Sequence, residues 1–120
     1  MRQVLRASAA LVTLVALVSS CGDEEPADPG SGSDPLRIEI TFEAGTVEPS
    51  GERVEVAAGR PIELVVMADE GGELHVHSKP EQELAYGEGT TTLPLTIDKP
   101  GVVDVESHDL EQVVVQLEVE

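Results

Sequence analysis

From Leu36 onward the apolar residues of this chain recur at every second position, a period that admits strands and argues against helices. Leu36, Ile38, Ile40 and Phe42 alternate with Arg37, Glu39, Thr41 and Glu43. Val54 and Val56 alternate with Arg53 and Glu55, and Ile62, Leu64 and Val66 continue the pattern. In that third run Val65 and Met67 fill the alternate positions, which predicts a strand buried on both faces. Leu74 and Val76 flank His75, and Leu93, Leu95 and Ile97 form another run. Pro94 inside it lacks a ladder donor and so predicts an edge strand. Val103 and Val105 precede a closing strand with Val113, Val115, Leu117 and Val119 expected on one face.

Turn signals separate the runs: Pro49-Ser50-Gly51, Ala58-Gly59, Glu70-Gly71-Gly72, Tyr86-Gly87-Glu88-Gly89 and Lys99-Pro100-Gly101. No window offers an amphipathic helix of useful length. About seven short strands at this spacing read as an all-β sandwich or barrel spanning residues 36–120. With one Phe and one Tyr in the chain, the core must be built from Val, Leu and Ile.

The first 35 residues follow other rules. Residues 1–20 hold no acid, and all 24 Asp and Glu residues lie beyond Cys21. Arg2 and Arg6 form a basic start, and an Ala, Leu and Val-rich run from Ala7 to Val18 follows. That run has the length of a signal-peptide apolar region and is too short to span a bilayer stably. Leu17-Val18-Ser19-Ser20-Cys21 resembles a bacterial lipobox, in which the thiol is acylated and the chain is cut before the Cys. Cys21 is the single cysteine of the chain and stands where acylation requires it. Residues 21–35 carry no large apolar side chain, so they read as a flexible lipid-anchored tether. The expected product is a lipoprotein held by Cys21 on the extracytoplasmic face of the cell membrane. Gly22, instead of Asp, follows the Cys and gives no signal for inner-membrane retention.

The formal net charge is −17, and loss of the leader arginines would make it more negative. Such a surface repels nucleic acid and anionic headgroups, which need Lys and Arg clusters. It attracts cations and basic partners and favours a soluble monomer.

The order of the pieces also carries a resemblance. An opening strand leads to Gly45-Thr46-Val47-Glu48-Pro49 and then to Val54-Glu55-Val56-Ala57-Ala58-Gly59. A β-branched strand and a Gly-containing loop precede His75; Pro100-Gly101-Val102-Val103-Asp104-Val105, His108 and a valine strand close the chain. Residues 36–120 thereby resemble the cupredoxin superfamily, most of all its small bacterial lipoproteins, some of which are linked to metal uptake. The resemblance implies a Greek-key β-sandwich of about seven to eight strands. It matches His75 to the first copper-binding His of the family and His108 to the second. The family's Cys has no counterpart in Val105-Glu106-Ser107, and the axial Met position near Val113 is apolar. A blue-copper centre needs its thiolate, so a blue-copper electron carrier is not expected.

His75 and His77 are separated by Val76, so on a strand both imidazoles leave the same face, about 7 Å apart. With His108 brought to the same end of the sandwich, they predict a cysteine-free site of three imidazoles, suited to Cu²⁺ or Zn²⁺. Glu73, Glu106 or Asp109 would orient a ring through its second nitrogen or add an oxygen ligand. The other reading is a cupredoxin-like interaction or structural module that docks an envelope protein and binds no metal.

Two enzyme readings fail. A copper-zinc superoxide dismutase also has a His-x-His strand but needs more ligands than the three histidines present. Ser107-His108-Asp109 are consecutive, whereas a hydrolase triad converges from separate segments. The carboxylate pairs Glu24-Glu25, Glu81/Glu83 and Glu118/Glu120 read as exposed linker or strand positions. No nucleophile elbow or phosphate loop occurs, and the chain is not expected to be an enzyme.

Overall fold

The computed structural model describes residues 34–120; the expected signal peptide, Cys21 and most of the tether lie outside them. Nine strands and no helix make up the described chain. In order they are β1 (Leu36–Glu43), β2 (Thr46–Glu48), β3 (Glu52–Val56), β4 (Ile62–Ala68), β5 (Gly72–Val76), β6 (Gln82–Tyr86), β7 (Gly89–Leu95), β8 (Gly101–Ser107) and β9 (Gln112–Val119). They form two sheets, ordered β2-β1-β4-β7 and β3-β9-β8-β5-β6. The β1–β4 and β3–β9 pairs are parallel and the rest antiparallel, so the chain crosses between sheets in a Greek-key manner.

The predicted alternation is what joins the layers. Ile40, Leu64, Val66, Leu74, Val76, Val105, Val115 and Leu117 are fully buried between the sheets. Their strand neighbours point outward, as the pleat demands. Pro94 does fall in β7, an edge strand, paired with Glu63.

The structure corrects three details. β2 and β6 join the strands read from periodicity, because a three-residue strand and one with Leu84 and Tyr86 alone give too little period to see. β4 is buried on both faces only at Val65, while Met67 stands 43% exposed on the outer face. In β9 the expected face breaks at a β-bulge: Val105 pairs with Val115, Glu106 with Val113, and Val114 is the extra residue. Val114 is therefore buried and Val113 only partly so. The Gly51 amide secures the bulge by donating to the Val113 and Val114 carbonyls, both at 3.0 Å.

The sandwich has two poles. At one the chain enters beside Pro61, whose carbonyl accepts from the Leu36 amide at 2.8 Å. At the other, Phe42 and Tyr86 stack with ring centroids 5.0 Å apart and planes at 16°. There Gly72 must be a glycine, since a Cβ would run into the Tyr86 hydroxyl and the Asp109 carboxylate.

Two stability outcomes follow from this packing. Leu117→Ala empties a fully buried site between the sheets and should cost about 2–5 kcal/mol in denaturant unfolding. Gly72→Ala should cost about 1–3 kcal/mol through overpacking. Gly87→Ala, where a Cβ meets nothing within 4 Å, should change stability by less than about 0.5 kcal/mol.

Candidate metal centre

The site grows from the parity of β5. Leu74 and Val76 turn into the core, so Glu73 and His75 must leave the opposite face, toward solvent. His77, one residue beyond the strand, keeps the same parity because its amide still donates to the Asp104 carbonyl at 2.9 Å. Across the sheet His75 is paired with Glu83 of β6 on one side and Glu106 of β8 on the other. A row of acid, imidazole and acid therefore crosses three strands on the outer face.

His108 comes from the β8–β9 turn. Ser107 before it is fully buried and points inward, so His108 emerges outward, and its amide donates to the Glu73 carbonyl at 3.0 Å. The Ser107 hydroxyl oxygen accepts from the Leu110 amide at 3.3 Å, which folds the turn back. As a result the His108 ring stacks on His75, centroids 4.7 Å apart and planes at 28°. His77 stands edge-on to His75 at 6.5 Å.

Thus the three predicted histidines form one surface patch, and its position differs from the expected one. The resemblance implied convergence at a pole of the sandwich; the rings lie on the solvent face of the five-stranded sheet, because alternation with Leu74 and Val76 forbids β5 to aim them inward. Stacked rings also carry their nitrogen lone pairs side by side rather than toward one point. One ion shared by His75 and His108 requires the exposed His108 to turn about its side-chain bonds.

The carboxylates are closer partners than the rings. Glu73 Oε1 lies 2.8 Å from His75 Nε2, and Glu83 Oε1 lies 3.8 Å from the same nitrogen. Glu73, His75 and Glu83 each offer a ligand atom within 4.8 Å of the others, the spacing from which a divalent ion can gather three donors. Glu106 Oε2 lies 2.9 Å from His77 Nε2. The Glu81 carboxylate sits between the two rings, 3.9 Å from Nδ1 of His75 and 3.9 Å from Nδ1 of His77. Glu73 and Glu106 therefore stand where they can orient a ring. Asp109 does not reach the rings: its carboxylate packs at Gly72 and Tyr86, where it adds to burial in raising the Tyr86 phenol pKa.

Local spacing marks Glu81 and Glu83 only as ordinary exposed positions. They are exposed, yet they face the histidines, and the signal lay in strand pairing, not in local spacing. The hydrogen bond that the ring donates to Glu73, with the further charges of Glu73, Glu83 and Glu81, raises the His75 pKa above its ordinary 6.5 despite some desolvation. The patch thus concentrates negative charge around imidazoles, an arrangement that recruits a cation or a proton.

A blue-copper centre does not fit these residues. No cysteine occurs among the described residues, Ser107 holds the inward position beside His108, and Met67 lies on the outer face of the opposite sheet. A cation held by imidazole nitrogen and carboxylate oxygen does fit.

No protein-family profile and no curated protein matches this sequence. Solved structures do match in shape. A methionine-to-alanine variant of amicyanin in its Cu(I) form superposes with a TM-score of 0.54 at 12% identity, over 70% of this chain and 82% of that one. Another such variant matches at 0.54 and 13%, over 80% and 87%. A chain of a heme-copper terminal oxidase dimer matches at 0.51 and 15%, over 80% and 76%. At such identities the likeness speaks for the architecture alone. Two facing sheets, nine strands, Greek-key crossings and this overlap make the domain a cupredoxin-like β-sandwich.

Proposed function

We propose that this chain is a membrane-anchored, extracytoplasmic lipoprotein that binds a transition-metal ion, Cu²⁺ before Zn²⁺, at a cysteine-free histidine and glutamate patch. The observation that carries it is the three-donor set of Glu73, His75 and Glu83. His77 and His108 flank that set within one ring's reach. The role is handling of the ion, by buffering, delivery or uptake, and not catalysis. Mixed nitrogen and oxygen donors favour Cu²⁺ over Zn²⁺ by the general order of divalent affinities. Amicyanin neighbours are solved in a Cu(I) form, which supports copper on a fold of this shape. Anchoring rests on the lipobox-like stretch ending at Cys21, and mass spectrometry of the mature N-terminus should find a diacylglyceryl Cys21.

When an ion is bound, the donors hold it at the sheet surface, open to exchange with solvent or a partner. In the metal-free domain His75 Nε2 bonds Glu73 and His77 Nε2 bonds Glu106; an ion taken up by Glu73, His75 and Glu83 replaces the first of these contacts, while Glu106 keeps its hold on His77. A purely structural interaction module, the second reading, gains from the acidic surface alone and has no specific contact behind it.

Copper titration of the full chain should show saturable binding with no intense thiolate-to-copper charge-transfer band. His75→Ala with His108→Ala should weaken it at least about tenfold, and Glu83→Gln, which removes a donor, should weaken it by at least the roughly 10-fold that loss of a mere ligand-supporting group costs. Equal affinity in the double variant would sink the site.

Acid should expel the ion, since a protonated imidazole cannot ligate. Because His75 holds its proton more tightly folded than unfolded, its bond to Glu73 stabilises the metal-free domain fully below pH 6.5. That contribution fades as pH rises through the raised folded value. Titration of the His75 ring by NMR should give a midpoint above 6.5 that falls toward it in Glu73→Gln.

A further inference from the structure

Apart from the metal patch, a concavity lies at the pole where the chain enters, between the segment after β5 and the β7–β8 connection. It encloses about 510 Å³, within the range of small-ligand pockets. Its walls hold Lys79 and Lys99, the only lysines in the sequence. Neither lysine takes part in an ion pair among the described residues. In a chain of net charge −17, two lysines outside any ion pair in the lining of one hollow are a local reversal of sign.

The rest of the lining suits a carbon skeleton. Ile97 and Val103 are buried in the wall, and Val102 beside them stays 63% exposed, the most exposed large apolar side chain described. The wall bearing Lys79 is braced: Ser78 Oγ donates to the Pro80 carbonyl at 2.7 Å and accepts from Gln82 Nε2 at 3.2 Å. Among acids only Asp98 lines the hollow, and its carboxylate is turned toward the Gly59 turn. His77 closes the side nearest the metal patch, its Nε2 held by Glu106.

We infer that this hollow binds a small organic polycarboxylate, with Lys79 and Lys99 each pairing a carboxylate over the Ile97, Val102 and Val103 wall. Each ammonium is a point charge on a flexible stem, so it adapts to carboxylates of differing spacing. An inorganic anion would satisfy the lysines yet leave the apolar wall wet, which is why the carbon skeleton belongs to the recognised chemistry. The inference stands on the lysines and the wall and does not depend on metal binding.

The test is an amide NMR titration of the metal-free full chain with citrate, and separately with inorganic phosphate, at constant ionic strength. Citrate should give saturable shifts confined to residues 77–82 and 96–103, with a Kd of about millimolar or tighter. Lys79→Gln with Lys99→Gln should weaken it at least about tenfold while leaving the amides of the folded core unmoved. Absence of saturation, an unchanged Kd in the double lysine variant, or phosphate binding as tightly as citrate would each overturn the proposal. Citrate failing while copper still binds removes this site alone; copper failing while citrate binds removes only the metal reading.

Discussion

The alternation of side chains along β5 is the constraint on which the rest hangs. Burying Leu74 and Val76 between the two sheets leaves no freedom for the residue between them. Glu73 and His75 must stand on the outer face, and once there they meet whatever the neighbouring strands present. Hydrophobic burial, the larger energy, thus decides the placement of a polar cluster that contributes little to folding itself. Were β5 to slip by one residue, the imidazole would enter an apolar core with no partner, and Leu74 would face water.

The same logic shows why a shared architecture need not bring a shared centre. In the resemblance read from sequence, a metal sits at the end of the sandwich. Here the corresponding pole carries the Phe42–Tyr86 stack, with Ser107 and Leu110 lining the same hollow and no imidazole among them. The charged partners are displaced onto the sheet surface, where exchange with solvent is open and a thiolate is not required.

Much of this was legible in the sequence. Period two marked most of the strands, and the parity of His75 and His77 correctly put both rings on one face. Pro94 correctly announced an edge. The residues that escaped did so for a common reason: they depend on which strand lies beside which. Glu83 matters because β6 pairs with β5 in the register that sets it across from His75, and no local pattern reveals a register. Val114 is likewise invisible, since one valine among three cannot be told from its neighbours until β8 is alongside. Asp109 was misjudged through proximity in the chain: one residue past His108, the turn has already carried it round to Tyr86.

The open margins of the two sheets have a further meaning. β7 offers Pro94, which has no amide to give, and β6 and β3 present Glu83, Glu52 and Glu55 along theirs. A strand from another copy trying to pair with β7, β6 or β3 would meet a missing donor or a wall of like charge, and β2 offers only three residues. Molecules of this kind can be crowded side by side on a small area without their sheets fusing into fibres.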